Sequence, residues 1–255
     1  MEKFFLVTRG RTGSTMVLNE LGKTSILETM QELFLRDAIT GDWKEGSLYY
    51  KLLPPFDNWR GEVSWWRRVL SPNYGDARQA HIYLTRAEEL AQAQGVKGFG
   101  WKVLFAHFDQ RPFLGRLLKQ HGYRVIYLQR KPARQILSGL VAIQSGIHNS
   151  KEKVVYDRRY KIDLNDFRRR ILSNRKIVIA DTACLNEYGF DFTVAHYEDY
   201  CTNREVFYKK IFSFLRLPFE LPPSSDFVRV IENLKTTIEN YDEVAEVAIN
   251  LGETL

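Results

Sequence analysis

The sequence predicts an α/β fold, a mainly parallel sheet flanked by helices, built as a single domain over residues 1–255. Three observations predict it. Short apolar runs with strand character alternate with segments of helical period, the pattern of a sheet covered on both faces. No repeat, low-complexity tract or linker divides the chain. The composition, 44% hydrophobic and 27% charged, is that of a globular protein with one sizeable core.

Taken in order, residues 4–8 read as a buried strand and 14–22 as the helix that follows a polar loop. TSILE (24–28) reads as a second short strand. Residues 40–80 hold four tryptophans (Trp43, Trp59, Trp65, Trp66) and three prolines, too aromatic for disorder and too punctuated for one helix. The stretch 40–95 is therefore read as an ordered excursion of the kind that contacts substrate. A helix is placed at TRAEELAQAQG, with Thr85 and Glu88 as a capping box and Gly95 as its end. A strand at 98–105, a short helix stopped by Gly122 and a strand at 123–128 come next. Pro132 opens a helix in its first turn, where proline fits. A basic helix spans about 163–188, FDFTVAHY is a last strand, and a helix after Asn203 is closed by Pro218. The tail after 223 reads as helical and acidic.

The totals exclude several classes. No apolar run approaches the ~20 residues that span a bilayer. The apolar stretch before Arg9 is too short for a signal-peptide core, so the expected location is cytoplasmic. Two cysteines, Cys184 and Cys201, make neither a zinc spacing nor a disulfide framework. The net charge of +6 is concentrated in 151–176, where ten Lys/Arg face four Asp/Glu. Such runs are usually solvated, salt-bridged helix faces, with one or two members free to meet an anion.

The chemistry starts at Gly10-Arg11-Thr12-Gly13-Ser14-Thr15, between the first strand and its helix. A nucleotide P-loop needs a lysine here and this loop has none. Its backbone N–H groups and helix N-terminus still suit an oxyanion, with Arg11 as fixed charge and Ser14 and Thr15 as hydroxyl donors. Arg130 then stands at a strand end and Ser138 eight residues on, in the following helix. Ligands of open parallel sheets bind at the strands' carboxyl ends, so this pair can hold a second phosphate near the first loop.

Together these blocks resemble the sulfotransferases that use 3′-phosphoadenosine 5′-phosphosulfate (PAPS). Arg11-Thr12-Gly13-Ser14-Thr15 is similar to that family's 5′-phosphosulfate loop, and Arg130, Pro132 and Ser138 are similar to its 3′-phosphate motif. VAHYEDY with the helix after it looks like the family's strand end, and NYDEV in the tail resembles bacterial members acting on carbohydrates and Nod factors. The resemblance implies the P-loop-NTPase-like sulfotransferase fold. It also implies in-line sulfuryl transfer from PAPS to a hydroxyl or amine of a small-molecule or glycan acceptor, leaving adenosine 3′,5′-bisphosphate and needing no metal.

It further implies roles. Arg11 matches the loop cation that steadies the leaving oxygen. Gln31-Glu32-Leu33-Phe34 is similar to the stretch carrying the general base in trehalose-type enzymes, with Met30 where that pattern has proline. Lys102 falls in a Gly-x-Lys segment found beside the sulfuryl group. Some branches use a histidine base two residues after that lysine; here His107 stands five after it. Glu28, Glu32 and His107 thus remain the candidate bases. His148 is a candidate for the acceptor pocket, and Trp65-Trp66-Arg67-Arg68 for a sugar platform or membrane anchor.

Two other classes remain to be weighed. A P-loop kinase would share the architecture but predicts a loop lysine and a magnesium carboxylate. A nucleic-acid-binding protein would use 151–176, yet no recognisable module accompanies that patch, and no nucleic-acid partner is expected. The oligomeric state is open, a homodimer included.

Overall fold

The computed structural model describes residues 1–34, 53, 56, 59 and 72–255, with the side chains of 72–75 left aside. Most of the 40–71 stretch, including Trp43, Trp65, Trp66 and Arg67-Arg68, lies outside the described residues.

Five strands form one sheet: β1 (Glu2–Thr8), β2 (Leu27–Met30), β3 (Gly98–Leu104), β4 (Arg124–Gln129) and β5 (Phe192–His196). Their order is β2-β3-β1-β4-β5, and every neighbouring pair is parallel. β1 is central and buried on both faces, which explains the unbroken apolar run that marks it. Its alternation divides the core. Phe4 and Leu6 pack with α1 (Ser14–Leu21), while Phe5 and Val7 face the opposite layer. Each such side chain, fully shielded, stabilises the fold by about 2 kcal/mol relative to exposure.

Helices supply both layers. α2 (Pro72–Ala93), α3 (Phe105–Gln110) and α4 (Leu114–Gln120) cover the Phe5 side. α5 (Pro132–Ser145) and α6 (Leu164–Glu187) pack on each other in a third cluster. α7 (Tyr197–Thr202) is a short helix off β5, and α8 (Arg204–Leu215) joins α1 on the Phe4 side. α9 (Leu234–Thr237) and α10 (Tyr241–Asn250) close the described chain against α6.

Two features tie the layers together. Glu20, 1% exposed on α1, accepts from Tyr208 Oη at 2.7 Å, Tyr200 Oη at 2.9 Å and Arg204 Nε at 2.8 Å. That many donors satisfy the buried carboxylate and staple α1 to α7 and α8. In the aromatic stretch, Phe56 is fully buried against Phe34 and Tyr83, and Trp59 lies 5.3 Å from the Tyr83 ring. Part of the excursion is thus core.

Several boundaries differ from expectation. The second strand begins at Leu27, not Thr24, because 22–26 close α1: Thr24 Oγ1 donates to Leu21 O at 2.8 Å and Ser25 is held by Glu220. The helix expected from Thr85 starts at Pro72, so Thr85 and Glu88 are interior and form no capping box. Its buried stripe is Ala80, Tyr83, Leu84, Ala87 and Ala91, and alanines give too weak an apolar signal to mark a face. The helix expected to end at Pro218 stops at Leu215, with Arg216 left-handed at φ 58°. Residues 224–233 are not helical. Their backbone is instead captured by α1 side chains, Ser225 N by Glu20 and Asp226 N by Asn19.

Candidate active site

The loop after β1 turns three times through left-handed backbone, at Gly10 (φ 84°), Arg11 (φ 57°) and Gly13 (φ 82°). Such turns set successive N–H groups around a concavity that suits an anion. Gly13 is the N-cap of α1, so Ser14 is its first helical residue and its hydroxyl makes no cap bond. The Tyr197 ring packs onto Gly13 so closely that a Cβ there would stand 2.3 Å from it. Only glycine meets both conditions.

A cavity of about 340 Å³ opens over this loop. Arg11, Gly13, Ser14, Thr15, Glu32, Lys102, Arg130 and Ser138 all line it. Residues drawn from positions 11 to 138 therefore converge because β1, β3 and β4 are adjacent and parallel, with their carboxyl ends on one edge. Two expected residues stand apart. Thr12 is 1% exposed and its hydroxyl bonds Thr8 Oγ1 at 2.6 Å, leaving only its backbone for a ligand. His107 is 1% exposed behind Glu32.

Arg11 and Arg130 give the cavity its sign. Neither forms an ion pair among the described residues, and each has a buried Nε with no hydrogen-bond partner. Arg11 donates to His148 O at 2.5 Å, and Arg130 donates to Arg11 O at 3.0 Å while lying 4.9 Å over the Tyr197 ring. Burial lowers both guanidinium pKa values below the ordinary arginine range. Two half-buried cations with no ion pair among the described residues suit an anionic ligand.

Opposite them, Lys102 Nζ lies 2.7 Å from Glu32 Oε1 and 3.2 Å from Thr15 Oγ1, so it spans from the carboxylate to the loop. The β3 alternation that sets Lys102 in phase with Gly100 and Leu104 does turn it inward, where it is 6% exposed. Glu32 follows β2 in the non-helical stretch 31–34 and is half-buried. His107 Nδ1 accepts from Leu104 N at 3.3 Å, which puts the neutral ring's proton on Nε2. That Nε2 faces Glu32 Oε2 at 3.6 Å and has no hydrogen-bond partner. Burial pushes the His107 pKa down to about 4, partly opposed by Glu32.

In the charged 151–176 segment, half of the ten basic residues are paired. Arg169 and Arg170 hold Asp166, Arg175 holds Glu253, Lys153 holds Glu232 and Arg159 binds Ile238 O. None of its lysines or arginines lines the cavity over the loop. Among the described residues there is no His/Cys/Asp/Glu group of metal-site size, and no helix is long and apolar enough to cross a membrane. His148 reaches the cavity rim chiefly through its carbonyl.

Three residues lie outside the sequence expectation. Tyr197 supports Gly13 and Arg130, Arg229 lines the same cavity from the non-helical 224–233 segment, and Gln135 donates to Gly10 O at 2.7 Å. Tyr197 sits in the quoted VAHYEDY block, which is its only signal. Arg229 and Gln135 carry none, because their roles depend on long-range contacts.

No family model matches the chain, and no curated protein matches it. Solved structures do. A sulfotransferase domain from the curacin biosynthetic pathway is 16% identical, with 100% of this chain and 98% of that one covered and a TM-score of 0.50. A sulfotransferase from Alicyclobacillus acidocaldarius is 12% identical (100% and 97% covered, TM-score 0.48). A sulfotransferase domain from the Synechococcus PCC 7002 olefin synthase is 15% identical (99% and 95% covered, TM-score 0.46). At such identity the likeness speaks of architecture: this chain has the P-loop-like α/β fold seen in the curacin-pathway domain.

Proposed function

We propose that this protein is a sulfotransferase that uses PAPS and transfers its sulfuryl group to a hydroxyl or amine of a small molecule or glycan. One observation carries the reading: Arg11 and Arg130, both half-buried and without an ion-pair partner among the described residues, face one cavity beside the left-handed donor loop. Two cations at one cavity suit a ligand that carries more than one anionic group. The loop, Arg11, Ser14 and Thr15 would hold the phosphosulfate end, and Arg130, Ser138 and Arg229 the 3′-phosphate.

Bound there, the donor supplies an S–O bond that breaks as the acceptor oxygen bonds to sulfur. The chain's residues do the rest. Glu32 takes the acceptor's proton, Lys102 bridges from Glu32 to the loop and offsets charge on the moving group, and Arg11 steadies the departing oxygen. His107, neutral and 3.6 Å from Glu32 Oε2 without a hydrogen bond to it, backs that carboxylate rather than acting as the base. A carbohydrate or glycolipid acceptor remains the proposal from the tail resemblance.

A kinase reading draws on one fact, that Lys102 brings a lysine to Thr15 from β3. Calorimetric titration with adenosine 3′,5′-bisphosphate, ATP–Mg²⁺ and a DNA oligomer separates the classes. Tight binding of the bisphosphate alone is expected; binding of ATP–Mg²⁺ alone sinks the sulfotransferase reading. Labelled PAPS with a panel of acceptors then identifies the substrate.

A further inference from the structure

Arg11 is a non-glycine residue held at φ 57°, a conformation that costs about 1–2 kcal/mol and persists only when its surroundings over-determine it. Arg130 holds it from the side of the first cavity, donating to Arg11 O, and further groups lie around a second cavity of about 510 Å³ that Arg9, Thr12, Tyr127 and Gln135 line and Arg11 does not. Gln135 Nε2, on α5, donates to Gly10 O at 2.7 Å. In a trans peptide the carbonyl and the next N–H point opposite ways. Tying Gly10 O toward α5 therefore turns the Arg11 N–H away from it. One residue earlier, Arg9 grips Asp181 of α6 with Nε 3.0 Å from each carboxylate oxygen and Nη2 2.5 Å from Oδ1. Asp181 is 1% exposed and also accepts from Tyr127 Oη at 3.0 Å, so α6 and β4 fix the loop's first residue. The Arg9 guanidinium additionally stacks 5.0 Å over Phe105.

We infer that Gln135 and the Arg9–Asp181–Tyr127 chain are positioning residues that hold the loop in its anion-ready shape before any ligand arrives. This rests on the loop being the donor-anion site. None of them lines the cavity over the loop, and they act through Gly10 and Arg11. Ordering in advance is worth affinity because the ligand need not organise the loop itself.

The test compares Gln135→Leu, Asp181→Asn and Tyr127→Phe with the native chain. Adenosine 3′,5′-bisphosphate and, separately, inorganic sulfate are titrated by calorimetry, and each melting temperature is recorded. Gln135→Leu and Asp181→Asn should weaken binding of both probes by about tenfold, the equivalent of one unmade buried hydrogen bond, with Tyr127→Phe between. Gln135→Glu, whose carboxylate repels the Gly10 carbonyl, should weaken it at least as much. Gln135 is half-buried beside a cavity, so its variants report even where Asp181→Asn fails to fold. Affinities within twofold of native for the Gln135 variants, whatever their melting temperatures, overturn the inference. If the native chain binds sulfate but not the bisphosphate, the functional reading fails while the positioning role is scored on sulfate. If it binds neither, the loop is no anion site and the inference falls with it.

Discussion

The Lys102 ammonium sits 2.7 Å from the Glu32 carboxylate, at 7% and 12% side-chain exposure. A pair this shielded is shaped for more than surface charge, since burying ions costs more than an exposed bridge returns. It joins β3 to the segment after β2 and leaves one Glu32 oxygen turned toward His107.

Glu32→Gln keeps the shape and removes the base. Turnover should fall by about 10²–10⁴-fold, with bisphosphate affinity nearly unchanged. Steady-state rates with an identified acceptor, beside calorimetry, check it; a variant that retains turnover moves the base elsewhere.

Arg130→Ala should weaken adenosine 3′,5′-bisphosphate by about 30-fold or more, the usual cost of leaving a buried charge unpaired. Adenosine 5′-monophosphate, which lacks the 3′-phosphate, should lose far less. Equal losses for both ligands would show that Arg130 supports the loop through Arg11 O instead of reading the second phosphate.

Gly13→Ala meets two obstacles, the left-handed φ of 82° and the Tyr197 ring 2.3 Å from the new methyl. The expected loss is about 2–4 kcal/mol in denaturant unfolding. Adding Tyr197→Leu should return the steric part only. Full stability in Gly13→Ala would mean that the loop adopts another path.

His107 makes stability pH-dependent. Its pKa is about 4 when folded against an ordinary 6.5, so between those values the unfolded chain binds a proton that the folded chain refuses. The contribution is intact above pH 6.5, falls as pH drops through the window, and is fully lost below about 4. The slope is at most about 1.4 kcal/mol per pH unit. His107→Gln should flatten urea-midpoint curves across that range; an unaltered slope would assign the acid sensitivity to other groups.

Much of this is legible in the chain. β1 and its loop read correctly because a fully buried strand leaves a continuous apolar run and a tight turn leaves glycines. The placement of Arg130 just after a strand and Ser138 in the next helix is legible because strand end and helix turn are local. α2 begins well before its expected start, since Ala80, Ala87 and Ala91 bury a face without looking apolar. Arg229 and Gln135 are invisible, each meeting the cavity or loop across more than a hundred residues of chain.

By itself the sequence determined local matters: where strands and helices alternate, which loop can cradle an anion, and which residues carry charge. Those follow from periodicity, glycine placement and residue type. Tertiary structure alone decided which charges are already spent. Ten basic residues in 151–176 look like the protein's anion-binding feature, yet many pair with nearby carboxylates and carbonyls and none reaches the cavity. Arg11 and Arg130, two cations among many in the sequence, are left half-buried with no ion pair among the described residues. The physical reason is that a charge's availability depends on what folding brings beside it, and parallel strands bring these two to the same edge.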